Sequence, residues 1–275
     1  MIKLPIYKAV SIIAKLKGSN NPLIMEVVTE NGACLDYVVK VFNQNRILNS
    51  QPTNKEFYAY ALAKSFDLKV PEAAIIYVSN NLVSQIKEIP EFKKQDIQHG
   101  LYFGSKYIEC AVSFDFSNFE DWELENIFAF DALIQNKDRR ACRPNLFEAD
   151  REIYLIDHEM SLNTDADCKS LFENEMAWNF LDNQDVNSKN SHLTFERLKI
   201  SNRLTTLEFD EFLLHLRTLN PVLTLRNIAL QLDEAAENYE GLESDTSDIE
   251  NIITYLNCIK VNEKQFVERL KQLLS

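Results

Sequence analysis

The stretch FDALIQNKDRRACRPNLFEADREIYLIDHE at residues 130–159 carries the densest set of side chains that could do chemistry. Asp138 follows an apolar helical run, Asp157 closes the apolar run Ile153-Tyr154-Leu155-Ile156, and a short hairpin between them can bring the two carboxylates together. Phosphoryl transfer needs such a pair: one carboxylate orients the attacking hydroxyl and accepts its proton, and a second holds Mg²⁺ against the phosphates. A plainer reading is also open, with Asp138-Arg139-Arg140 as a surface ion-pair patch and Asp157 as a cap. Lys40 lies in Tyr37-Val38-Val39-Lys40-Val41-Phe42. A lysine among apolar strand residues either faces water or neutralises something buried. Glu56, near the start of the next helix, is the kind of partner with which a strand lysine holds nucleotide phosphates. The turn Gly18-Ser19-Asn20-Asn21 could offer backbone N–H groups to phosphate. Neither G-x-x-x-x-G-K-[ST] nor G-x-S-x-G occurs, so a Walker-type nucleotide fold and a lipase-like site are unsupported.

These groups need elements to position them. Tyr7–Lys17, Leu23–Thr29 and Cys34–Phe42 are β-branched and partly alternating, and Asn31-Gly32 is hairpin chemistry, which predicts an antiparallel meander. A helix is expected over about 54–66, a buried strand at Ala73–Val78 and an extended stretch within Leu101–Val112. Ser117-x-x-Glu120 reads as a capping box for a helix running to about Gln135, with Trp122, Ile127, Phe130, Leu133 and Ile134 on its buried face. A hairpin follows, turning at Glu148-Ala149-Asp150, and from about residue 170 the chain is mostly helical. Leu225, Ile228, Ala229, Leu232, Ala235 and Ala236 mark a helical stripe. Asp233–Glu250 holds eight acidic residues and no Lys or Arg, as a solvated surface or loop would. Strands first and helices second predict an α+β fold with segregated lobes, residues 1–110 and 111–275.

The chain has 275 residues, 45% hydrophobic and 26% charged, which excludes a wholly disordered or fibrous protein. A formal net charge of −13 speaks against nucleic acid or an anionic membrane surface as the partner. Five cysteines with no C-x-x-C spacing argue against a disulfide framework or a zinc site and fit a reducing cytoplasm. No signal peptide or membrane span is expected, because no apolar run is long enough.

The order of these features resembles the HipA-like kinase domain, a bacterial branch related to phosphatidylinositol kinases. The resembling residues are Tyr37-Val38-Val39-Lys40, Glu56-Phe57, Leu68-Lys69-Val70-Pro71-Glu72-Ala73-Ala74-Ile75, Phe103-Gly104-Ser105, Phe130-Asp131-Ala132-Leu133-Ile134-x-Asn136-x-Asp138-Arg139, Pro144-Asn145-Leu146 and Leu155-Ile156-Asp157-His158-Glu159. The match spans roughly residues 15–165 and is weak in the C-terminal helices. It implies a two-lobed protein-kinase-like fold, an antiparallel-sheet N-lobe plus one helix and a mainly helical C-lobe, with ATP and Mg²⁺ between the lobes. It also implies that Lys40 binds phosphate with Glu56 as its partner, that Asp138 is the catalytic-loop aspartate, and that Asp157 is a metal ligand; the Gly18-Ser19 turn, read from its own chemistry, is a further candidate phosphate contact. The phosphoacceptor is left open, as a protein or small-molecule hydroxyl.

One position departs from the family pattern D-R-x-x-x-N-P-N. Its first Asn, a metal ligand, is Arg143 here, and only the second survives, as Asn145. Arginine has donors only and cannot ligate Mg²⁺. So Arg143 points away, or replaces one metal with Asn145 as the substitute ligand, or the site no longer transfers phosphate and the chain is a pseudokinase acting as an interaction module. A metal-dependent hydrolase or nuclease using Asp138, Asp157, Glu159 and a lysine is a further reading. Its weakness is that Lys40 lies about a hundred residues from those acids.

Overall fold

In the computed structural model, which describes residues 2–17, 22–42, 51–93, 95, 97–109, 111–163, 168–174, 177–182, 191–204, 207–239 and 248–275, the chain divides into two units. The first comprises Met1–Tyr60, Pro71–Glu109 and Arg226–Thr246. Its strands are β1 (Ile6–Lys15), β2 (Leu23–Val28), β3 (Cys34–Val39), β4 (Ala73–Val78) and β5 (Gly100–Lys106). They close into a barrel in the order β1-β2-β3-β5-β4. Alternation decides which faces point inward. Leu23, Met25 and Val27, then Tyr37 and Val39, then Ala74, Ile76 and Val78 recur at every second position, and all are buried in one core. The predicted meander is β1-β2-β3, turned at Asn31-Gly32, where Gly32 has φ +83° and its N–H donates to the Thr29 carbonyl at 2.9 Å. The closure was not anticipated: β1 pairs in parallel with β4, Tyr7 opposite Ile76.

Gly104 on β5 stands opposite both Ala74 and Val39. A Cβ there would lie 2.4 Å from Ile76 Cγ1 and 3.2 Å from Tyr37 Cδ1, two inward-facing neighbours. Gly104→Ala is therefore expected to overpack the barrel and cost about 1–3 kcal/mol. Denaturant titration checks it: the midpoint falls, and the same substitution lowers it less in an Ile76→Ala background than in wild type. An unchanged midpoint would contradict the packing described.

The second unit comprises Ala61–Val70, Cys110–Leu225 and Ser247–Ser275. It is mainly helical and carries one small sheet, β6 (Val112–Ser113), β7 (Leu146–Ala149) and β8 (Glu152–Leu155). The chain is thus α+β, sheet in its N-terminal part and helix in its C-terminal part. Helix α1 (Pro52–Ser65) falls across the unit division. α2 (Asn80–Glu88) belongs to the first unit. α3 (Asp121–Leu133) is the centre of the second: Leu124 and every residue from Asn126 to Leu133 are buried, as in a helix apolar nearly all round. Phe66 stacks on Phe212 at 5.2 Å, and Trp178, fully enclosed, packs edge-on to Phe266 at 5.2 Å.

Three local expectations, the helix cap, the hairpin turn and the cysteines, need correction. The reciprocal cap sits one turn later than Ser117-x-x-Glu120, with Glu123 Oε2 accepting from the Glu120 N–H at 2.9 Å. That leaves Trp122 in the first, protruding turn, 54% exposed rather than on the buried face. The hairpin turns at Asp150-Arg151, both at positive φ (53° and 63°), the backbone that a two-residue turn between twisted strands requires. The acidic segment, expected as a solvated surface or loop, begins with Glu234 and Glu237 exposed on a helix (Pro221–Asn238), and residues 240–247 lie outside the described residues. Cys258 is disulfide-bonded, which the cysteine spacing did not predict; Cys34 and Cys142 are free and exposed. Among the described residues no helix is long and apolar enough to cross a membrane.

Candidate active site

In the first unit, β3 ends at Val39, one residue before Lys40, although the strand was expected to continue through Phe42. Lys40 still follows β5, its N–H reaching the Phe103 carbonyl at 3.4 Å. Its ammonium pairs with Glu56 on α1, with side chains only 12% and 2% exposed. α1 is fixed there by Phe57, edge-on to Phe103 at 4.9 Å. The lysine is therefore not a solvent-facing strand residue. A buried charge needs a partner, and Glu56 supplies it. Gly18 and Ser19 lie outside the described residues.

In the second unit the organising group is one that sequence reasoning did not single out for a role, the buried Asp131–Arg139 pair. Asp131 is wholly enclosed in α3. Its carboxylate accepts from Arg139 Nε at 2.5 Å, His192 Nε2 at 2.9 Å and Asn136 Nδ2 at 2.9 Å. Burial alone would raise its pKa, but the Arg139 charge and the His192 hydrogen bond bring it down to about 2. Arg139, 1% exposed, spends the rest of its fork on the strands either side of the hairpin: Nη1 donates to the carbonyls of Asn145 and, at 3.3 Å, Ile156. Nη2 meets His158 Nε2 at 3.0 Å. A guanidinium only donates, so His158 presents an acceptor nitrogen there, with its proton on Nδ1. One buried arginine thus ties the residue after Asp138 to Asn145 and to both neighbours of Asp157. The surface-patch reading of Asp138-Arg139-Arg140 fails for Arg139.

Asp138 is positioned by this frame. Gln135, at φ 53°, turns the chain out of α3, and Asn136 Oδ1 accepts the Asp138 N–H at 3.2 Å. Asn145 Nδ2 lies 3.3 Å from Asp138 Oδ2, so these two predicted residues are brought together. Arg143 does not point away: its Nη1 lies 3.2 and 3.1 Å from the two carboxylate oxygens of Asp138. Asp138 and the nearby Asp157 hold the Arg143 pKa above its ordinary value. Asn145 (φ 48°) and Asp157 (φ 63°) both have left-handed backbone. Asn and Asp tolerate that conformation best, and such residues concentrate at functional sites. Carboxylate oxygens of Asp157 and Glu159 lie within 4.8 Å of each other. Carboxylate oxygens are hard donors of the kind that Mg²⁺ takes.

A sequence signal for the missed frame existed. Asp131 is a lone charge inside the apolar run Phe128-Ala129-Phe130-Asp131-Ala132-Leu133, and a charge so placed demands a partner. His192 carried no such signal, being 61 residues away and isolated.

A family model described as HipA-like kinase matches residues 12–205, well over half of the chain. That span includes Lys40, Glu56, Asp138, Asn145 and Asp157. Among solved structures, the crystal structure of a Helicobacter pylori proinflammatory kinase, CtkA, is similar to this chain with a TM-score of 0.52 at 14% identity. The alignment covers 98% of this chain and 99% of that one, a likeness of fold. No curated protein matches.

Proposed function

This chain belongs to the HipA-like kinase family, and from that premise we propose that it transfers the γ-phosphate of ATP to a hydroxyl of a protein or small molecule. In this reading residues 1–110 form the nucleotide-binding lobe and residues 111–275 the catalytic lobe. Lys40 holds the phosphates and Glu56 holds Lys40, with the Gly18-Ser19 turn as a further phosphate contact. Asp138 accepts the proton of the acceptor hydroxyl as its oxygen attacks the γ-phosphorus. The bond from that phosphorus to the bridging oxygen breaks, and ADP leaves with the electron pair. Asp157 and Asn145, helped by Glu159, hold Mg²⁺, which when bound neutralises charge on the phosphates. The observation that carries the reading is the Lys40–Glu56 ion pair, a strand-end lysine held by a helix glutamate, the pairing with which kinases hold nucleotide phosphates.

Transfer of labelled γ-phosphate, to the chain itself or to acceptors in a cell extract, tests it. Wild-type chain with Mg²⁺ is expected to consume ATP, and Asp157→Ala to lose that activity by roughly 10³-fold, the scale on which electrostatic stabilisation of a transition state is lost. Activity surviving Asp157→Ala would remove the assigned metal ligand. A second reading is favoured by a specific contact, Arg143 on Asp138: a nucleotide-binding interaction module that transfers nothing. It predicts ATP binding without turnover, and turnover gained in Arg143→Asn.

A further inference from the structure

Arg143 occupies the loop position five residues after Asp138, and its direction is set by the backbone. The Arg140 N–H donates to the Arg143 carbonyl at 3.0 Å and the Arg143 N–H returns to the Arg140 carbonyl at 2.9 Å, closing a tight turn. From that turn Nη1 reaches Asp138, yet the side chain stays 56% exposed. Its other guanidinium N–H groups make no hydrogen bond among the described residues. Phosphotransfer sites of the protein-kinase kind place two divalent ions near the phosphates, one of them on a catalytic-loop asparagine. Here a cation that cannot be a ligand lies against the catalytic carboxylate instead. A positive charge in that place repels a second dication, and the partner a guanidinium fork fits best, besides a carboxylate, is phosphate.

We infer that Arg143 is a phosphate-positioning residue standing in place of a second metal, so that the site takes one divalent ion and presents a guanidinium to the terminal phosphate of the nucleotide. The inference rests on the kinase reading above. It concerns how phosphate charge is met rather than whether transfer occurs, and so it is testable without turnover.

The test counts Mn²⁺ by electron paramagnetic resonance in the 275-residue chain with a non-hydrolysable β,γ-imido analogue of ATP. Wild type is expected to hold one Mn²⁺ per bound nucleotide, and Arg143→Asn two. Arg143→Ala is expected to lose roughly tenfold in affinity for the analogue while its affinity for ADP is unchanged, because ADP lacks the phosphate that Arg143 meets. Two Mn²⁺ of similar affinity in wild type, or still one in Arg143→Asn, overturns this inference and leaves the kinase reading standing. Equal losses for the analogue and for ADP in Arg143→Ala also overturn it. A wild-type chain that binds neither nucleotide nor Mn²⁺ overturns the kinase reading and the inference together.

Discussion

Asp138→Asn is expected to lower the turnover number by roughly 10²–10⁴-fold, the range that a positioned proton acceptor contributes. The substitution keeps the shape of the side chain and one oxygen for Asn145 Nδ2, now 3.3 Å away, so the loop stays built. What goes is the charge and with it the basicity. The lost Arg143–Asp138 pair is half-exposed on the arginine side, and such pairs contribute only about 0–1 kcal/mol. Steady-state kinetics beside a thermal melt therefore separate the roles. A proton acceptor loses turnover with little change in melting temperature, whereas unchanged turnover would show that another group takes the proton.

Arg139→Met has the largest expected effect on stability. It leaves Asp131 wholly enclosed with its main counter-charge gone, and breaking a buried pair in this way costs about 3–5 kcal/mol. His192 and Asn136 still reach the carboxylate, so the loss should fall short of isolating a bare charge. Arg139→Lys splits the two functions of the residue. One ammonium can answer Asp131, but it has no fork with which to reach Asn145, Ile156 and His158 as well. Arg139→Lys should regain much of the denaturation midpoint lost by Arg139→Met while remaining nearly inactive. Equal midpoints for wild type and Arg139→Met would mean that the network does not hold this unit together.

Sequence logic reached residue types and short-range pattern and stopped at pairing. The inward rows Leu23-Met25-Val27 and Tyr37-Val39 follow from alternation, and the first hairpin from Asn31-Gly32, because both signals are local. The parallel closure of β1 on β4 joins strands about seventy residues apart, and nothing in either strand names the other. Lys40 and Glu56 stood out as a charge among apolar neighbours and a carboxylate near a helix start, and the fold supplies their contact. In Asp138-Arg139-Arg140 the three side chains go to different places: Asp138 towards Asn145, Arg139 inward to Asp131, and Arg140 back to the Lys137 carbonyl at 2.9 Å. A loop has no period from which those directions could be read. Trp122 shows the opposite error, where a helical stripe was extended into a first turn that the core does not reach.

Binding of a non-hydrolysable ATP analogue, measured by calorimetry with and without Mg²⁺, tests most directly whether the two sets of residues serve one nucleotide. Wild type should bind the analogue, and more tightly with Mg²⁺. Lys40→Met combined with Glu56→Gln removes both buried charges of the pair and should weaken binding by about tenfold or more. Asp157→Ala should erase the difference that Mg²⁺ makes. No binding at millimolar nucleotide, or affinities that neither variant changes, would contradict the assignment of these residues to ATP.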